Sequence, residues 1–225
     1  MPRTVHIAGP ADGFHAAMLD RLVRAGASFC DNPEDANVSL GIGQGSSGNI
    51  VVIPSDSTPG NAELVVRIYD LIVPSGKREW GTGLLLDWVA GVKSGRVEGL
   101  TIDPITRYWV HVNDVVDALS TLIMADGGPV AKGEIYVCGR RAWHSQDVIE
   151  EIVVLWQRYL NSVHHSHTVE SLSEVPSPVK QSTSNQTKRP DLGPLHDALI
   201  DSGGEGWHPL VPMRTALMEL IAVSD

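Results

Sequence analysis

Arg107-Tyr-Trp-Val-His-Val-Asn-Asp-Val-Val116 is the stretch on which the reading of this chain turns. Val110 and Val112 alternate with His111, the period-2 pattern of a short strand, and Asn113 or Asp114 then caps a helix expected over 115–124. Upstream, Glu63-Leu-Val-Val-Arg-Ile68 reads as a strand, with Tyr69 to Gly76 as its outgoing loop. An amphipathic helix carrying Leu84, Leu85, Trp88 and Val89 follows over 82–93. Downstream, Gly133 to Cys138 is a further strand. Ser145 caps a helix expected over 146–160, with Val148, Ile149, Ile152, Val153 and Trp156 as its buried stripe. Strands alternating with helices predict an α/β fold with a reduced Rossmann-like parallel sheet and a small C-terminal lobe.

The N-terminal part extends the alternation. Thr4 to Ala8 reads as a buried strand, Gly9-Pro-Ala-Asp-Gly13 as a turn, and 16–25 as a helix with Met18, Leu19, Leu22 and Val23 on one side. Strand, glycine turn and helix are how a dinucleotide-binding unit opens, because backbone N–H groups at such a helix start can hold a pyrophosphate. Asp31 is the acidic residue placed about twenty positions on, where ribose hydroxyls are taken in such units. Val38 to Ile42 and Ile50 to Ile53 read as buried strands. Ser55 and Ser57 then fall at a strand's carboxyl end, where doubly wound sheets bind ligands.

With 225 residues the chain suits one α/β unit, the sheet core in 1–76 and 101–138 and a lobe in 77–100 and 139–225. Within the lobe, 161–188 is a polar loop or lid. A net charge of −10 and no Lys/Arg cluster argue against nucleic acid as a partner. The absence of a long apolar run or a signal-peptide core points to a cytoplasmic protein away from membranes. Cys30 and Cys138 read as two reduced thiols, and His164-His-Ser-His167 as a solvated loop, so no metal is expected.

Four places resemble the extended short-chain dehydrogenases/reductases, the NAD-dependent epimerase/dehydratase family that modifies nucleotide sugars. Val5 to Gly26 is similar to the family's first strand–helix unit. Val66 to Gly76 resembles its R-x-x-x-x-(Y/F)-G-P-G segment, and Arg107 to Val116 its R-D-F-V-H-V-D-D-V. Arg189-Pro-Asp191 through Gly206-Trp-His-Pro209 resembles R-P-G-D … L-G-W-x-P. The family's glycine fingerprint is altered here to Gly9-Pro-Ala-Asp-Gly13-Phe-His-Ala16, which brings Asp12 close to the expected pyrophosphate. No tyrosine is followed four positions later by lysine, and too few residues separate Pro59 from Glu63 for the helix that carries that pair.

The resemblance implies a shortened member of the family, an epimerase/dehydratase-like isomerase or lyase, with a nucleotide sugar as small-molecule partner and NAD(P) as the family's cofactor. The reading leans toward an enzyme. The alternative is a non-catalytic nucleotide-sugar-binding or partner protein. By resemblance, Arg107, Arg189 and Tyr69 face the substrate, and Trp80 is a candidate for stacking on it. Gly9, Gly13, Phe14 and Asp31 mark the cofactor side. Ser55 and His111 are the catalytic candidates: Ser55 stands where the family keeps a Ser/Thr, and an imidazole suits proton transfer if it reaches the ligand. A homodimer through the lobe, or through the sheet face left by the shortened segments, is expected.

Overall fold

The computed structural model describes residues 3–102, 104–127, 131–164, 166 and 188–224. Its centre is a six-stranded, wholly parallel sheet. The strands are β1 (Thr4–Ala8), β2 (Ser28–Phe29), β3 (Val38–Ile42), β4 (Gly48–Pro54), β5 (Ala62–Ile68) and β8 (Gly133–Val137), in the order β2-β1-β3-β4-β5-β8. The chain leaves β1 for β2 on one side and returns to β3 on the other, so a Rossmann-type switch point lies between β1 and β3.

One face of this sheet carries the core. Val5, Leu40, Ile50, Val52, Leu64, Val66 and Ile135 alternate inward along their strands. They pack with helices α1 (Gly13–Arg24), α3 (Val112–Met124) and α5 (Gly193–Asp201). On α1 the buried residues Phe14, Met18 and Leu22 fall four apart, the spacing that stacks side chains on one side of a helix. Burying each of these contributes about 1.5–3 kcal/mol.

The other face has lost its helices. Residues 43–47 alone return the chain from β3 to β4, and 55–61 alone from β4 to β5, where parallel strands usually need a crossover of about a dozen residues or more. The short returns lie flat on the sheet. A Cβ on Gly41 would come within 2.7 Å of the Ser47 carbonyl oxygen, and one on Gly60 within 2.8 Å of the Ser46 carbonyl oxygen. Beyond the returns this face is polar. Asn49 accepts from the Ser39 backbone and hydroxyl at 2.8 Å and donates to Glu63, and Arg67 pairs with Glu134 at 3.0 Å.

A second core fills the small lobe. Helices α2 (Gly83–Lys93), α4 (Ser145–Val163) and α6 (Met213–Val223) pack through Leu85, Trp88, Val89, Ile149, Ile152, Leu217 and Leu220. The two-stranded sheet of β6 (Leu71–Ile72) and β7 (Val110–His111) reaches into both cores.

Several expectations change. The strand over Val110 and Val112 shrinks to β7 and pairs with β6 outside the main sheet, because Asp70, at φ 50°, turns the chain after β5 and its carbonyl takes the Val110 N–H. Helix α3 begins at Val112 and is capped by His111, not by Asn113 or Asp114. The Asp114 carboxylate is drawn instead to the N–H groups of Leu210 and Val211. Ser145 is the first residue of α4 rather than its cap, and Leu155 is buried there while Val153 is exposed. On α1, Leu19 and Val23 are exposed. Helix α5, opening on Gly193-Pro194, was not expected. The polar stretch 161–188 and the His164–His167 run fall largely outside the described residues.

Candidate functional site

The site is built at the carboxyl ends of β4, β5 and β8. Ser55 follows β4, Tyr69 and Asp70 follow β5, and Tyr136 stands near the end of β8. The extended segment before β7 brings in Thr106, Arg107 and Tyr108, and the segment before α5 brings in Lys188, Arg189 and Asp191. Together with Ile105 and Pro190 these residues line an open cavity of about 480 Å³. Such a volume is within the range that holds a small organic ligand.

Arg107 is held by two sets of contacts. Its backbone exchanges hydrogen bonds with Trp143, N to O at 3.0 Å and O to N at 2.8 Å. Its guanidinium donates to Asp70 at 3.0 Å, and the same carboxylate accepts the Tyr108 N–H at 2.7 Å. Asp70 therefore fixes where Arg107 points, a role that no sequence motif announced; its positive φ belongs to a residue type that tolerates the left-handed region. Arg189 donates to the Arg140 carbonyl at 3.1 Å, and Asp191 accepts the Gly193 N–H at 2.9 Å. Three basic side chains face two carboxylates in this cavity, and both carboxylates already accept backbone N–H groups. The locality is cationic in a chain of net charge −10, which favours an anionic ligand.

The floor is aromatic. Tyr69 and Tyr136 meet edge to face with ring centroids 6.0 Å apart. Tyr136 donates to Glu134 at 2.7 Å, and that hydrogen bond raises its phenol above the usual 10, with the Glu134 charge adding to it. Burial, more than any neighbouring charge, raises Tyr69. Both phenols therefore stay protonated near neutrality; the Tyr136 proton is committed to Glu134, which leaves the Tyr69 phenol as the donor for a ligand. Arg67, paired with Glu134, also donates to the carbonyls of Ser55 and Ser57 at 3.1 and 2.6 Å, which pins the loop that carries the Ser55 hydroxyl. Behind the cavity wall lies Cys138, fully buried, with its thiol pushed up to about 12 by burial and by the Asp70 charge against the opposing pull of Arg189.

Ser55, Tyr69, Arg107 and Arg189, separated by up to 134 positions (189 − 55), thus line one cavity. His111 does not join them. It is 2% exposed, and because the Asn113 N–H can only donate, Nδ1 is the acceptor and Nε2–H is directed at Glu219, 3.0 Å away. Both ring nitrogens have protein partners, and through Nδ1 the imidazole caps α3.

The cofactor candidates divide from one another. Asp31 is exposed just after β2. Phe14 is fully buried beneath Trp80, ring centroids 4.6 Å apart. Trp80 itself lies against Phe14 with its indole N–H on Asp12 at 2.9 Å, so it does not line the cavity as a stacking surface. Asp12 caps α1 through the His15 N–H at 2.8 Å, and Glu79 accepts the Gly13 N–H at 2.8 Å. Gly9 packs so closely that a Cβ there would lie 2.6 Å from the Ile42 carbonyl oxygen. Two carboxylates at the helix end where a pyrophosphate would bind do not fit a dinucleotide. Among the described residues no group of three or more His, Cys, Asp or Glu is placed to hold a metal ion, and no helix is long and apolar enough to cross a membrane.

No protein-family model matches the chain, and no curated protein matches it in sequence. Solved structures do match in fold. The chain overlays on RMD from Pseudomonas aeruginosa complexed with NADPH at 12% identity, covering 98% of each chain, with a TM-score of 0.57. WbmF of Bordetella bronchiseptica in complex with NAD+ and UDP is 12% identical over 98% of this chain and 91% of that one, with a TM-score of 0.54. The UDP-glucose 4-epimerase of Thermotoga maritima with UDP-glucose is 10% identical over 98% of each chain, with a TM-score of 0.55. At such identities the likeness is one of fold, and the Rossmann-like α/β architecture is common to all of them.

Proposed function

We propose that this protein binds a nucleotide sugar, or a closely similar diphosphate-bearing small molecule, in the cavity at the carboxyl ends of β4, β5 and β8. The observation that carries the reading is the convergence of Arg107 and Arg189 on one cationic cavity floored by Tyr69 and Tyr136. Guanidinium groups meet phosphate oxygens through paired, charge-assisted hydrogen bonds, and Asp70 gives one of them a fixed orientation. The tyrosines supply apolar area for a base or sugar, and Tyr69 adds a phenol donor, the Tyr136 proton being held by Glu134. The overlay on proteins solved with UDP and UDP-glucose supports the same ligand class.

On this reading the protein is epimerase/dehydratase-like in fold and in ligand, and is a binding protein first. A second reading keeps catalysis, because the Ser55 and Tyr69 hydroxyls share the cavity with the arginines. Calorimetric titration with UDP and UDP-glucose tests the binding claim, and incubation with UDP-glucose followed by product analysis separates the two readings. Turnover abolished by Ser55→Ala supports catalysis; saturable binding without turnover supports the binding protein.

A further inference from the structure

The N-terminus of α1 lies at the switch point between β1 and β3, where this fold presents backbone N–H groups to a dinucleotide's phosphates. Here that place is filled from within. Glu79 Oε2 accepts the Gly13 N–H at 2.8 Å and the Ser75 hydroxyl at 3.2 Å. The space beside Gly13 is taken up as well: a Cβ there would lie 2.7 Å from Val73 Cγ1, 2.8 Å from Glu79 Oε2 and 3.1 Å from Ser75 Cβ. Trp80 closes the outer side through Asp12 and Phe14. On the strand side, Pro10 lies over Gly43, within 3.5 Å of where a Cβ would be.

We infer that the segment Ser75–Trp80 stands in for a dinucleotide's pyrophosphate at the start of α1, and that the protein carries out its function with no NAD(P) bound there. The Glu79 carboxylate occupies the position of a phosphate oxygen and satisfies the same helix-end N–H group. The segment is held in this conformation. Thr82 Oγ1 donates to the Glu79 carbonyl at 2.7 Å, the Thr82 N–H does so at 2.9 Å, and Trp80 and Gly81 take positive φ values of 52° and 85°. Gly76 packs beside the Val223 carbonyl at the end of α6, which ties the segment to the small lobe. An incoming pyrophosphate would have to expel Glu79 and would still meet the Asp12 carboxylate, a like charge at the same helix end.

This inference shares no residue with the cavity lined by Ser55, Tyr69, Arg107 and Arg189, so the two stand or fall separately. Its test is a fluorescence titration of the full chain with NADH and with NADPH, run beside the UDP-glucose titration, together with melting of Glu79→Ala. The expected result is no saturable binding of either dinucleotide to the wild type up to about 1 mM, a ceiling that leaves at most weak affinity. Glu79→Ala is expected to melt about 3–6 °C lower, from loss of a charge-assisted hydrogen bond at the helix start. Saturable NADH or NADPH binding by the wild type overturns the inference, and so does a Glu79→Ala protein that melts with the wild type. The wild-type titration decides the question even where Glu79→Ala does not fold. Failure of UDP-glucose to bind counts only against the cavity reading.

Discussion

Asp70→Ala removes the carboxylate that organises the cavity, and its cost can be worked from two contacts and the backbone conformation. The side chain is 11% exposed and accepts the N–H of Tyr108, itself a buried residue, at 2.7 Å. A buried N–H left without an acceptor costs about 1–3 kcal/mol. The ion pair with Arg107, whose side chain is a third exposed, contributes up to about 1 kcal/mol more. Alanine also tolerates the left-handed φ of 50° less well than aspartate does. The expected loss is about 2–4 kcal/mol. Asp70→Asn keeps an acceptor oxygen for Tyr108 and suits the same φ, so its loss is held to about 1 kcal/mol, the ion pair alone. Urea unfolding of wild type and both variants, fitted with a common m-value, measures the ranking. If asparagine costs as much as alanine, or both variants unfold with the wild type, Asp70 does not organise this site.

Two further predictions concern titrating groups away from the ligand. Burial raises the Asp114 carboxyl above its ordinary 3.8, although the N–H groups of Leu210 and Val211 pull the other way. The native state thus holds this proton more tightly than the unfolded state, so the residue's contribution is full at acid pH and is lost as pH rises through the raised value. Urea midpoints in a pH series should therefore fall for the wild type relative to Asp114→Asn as pH rises from about 4 to neutrality; a constant difference contradicts this. Cys138, fully buried and with its thiol pushed up to about 12, should resist a disulfide reagent at pH 8 in the native protein. One thiol, Cys30, is expected to react before unfolding and two after it, and two reactive native thiols would contradict the burial.

The parts of the site that lie at strand ends were legible because parallel strands put their carboxyl ends together. Once Ile50–Ile53 and Glu63–Ile68 are strands of one sheet, Ser55 and Tyr69 must emerge side by side, and Arg107 and Arg189 follow from the motif likeness. His111 lies in strand β7, as its alternation with two valines suggests, but its Nδ1 also caps the helix that begins one residue later, which the alternation does not reveal. Asp70 and Glu79 were invisible for a different reason. Each acts through contacts 37 or more positions away, Asp70 on Arg107 and Glu79 on Gly13, and no local pattern marks which carboxylate will fold back. The shortened return between β4 and β5 was visible as too few residues from Pro59 to Glu63, whereas the one between β3 and β4 was not. Their flat course over the sheet became apparent only when the packing around Gly41 and Gly60 was seen.

The most direct test is a titration of UDP-glucose into wild type, Arg107→Ala and Arg189→Ala at two salt concentrations. Saturable wild-type binding, weakened about 10- to 100-fold by each substitution and reduced by salt, is the result expected of two guanidinium groups meeting a diphosphate. Absence of binding by the wild type, or binding that neither substitution disturbs in a variant shown to be folded, would contradict the assignment of the cavity.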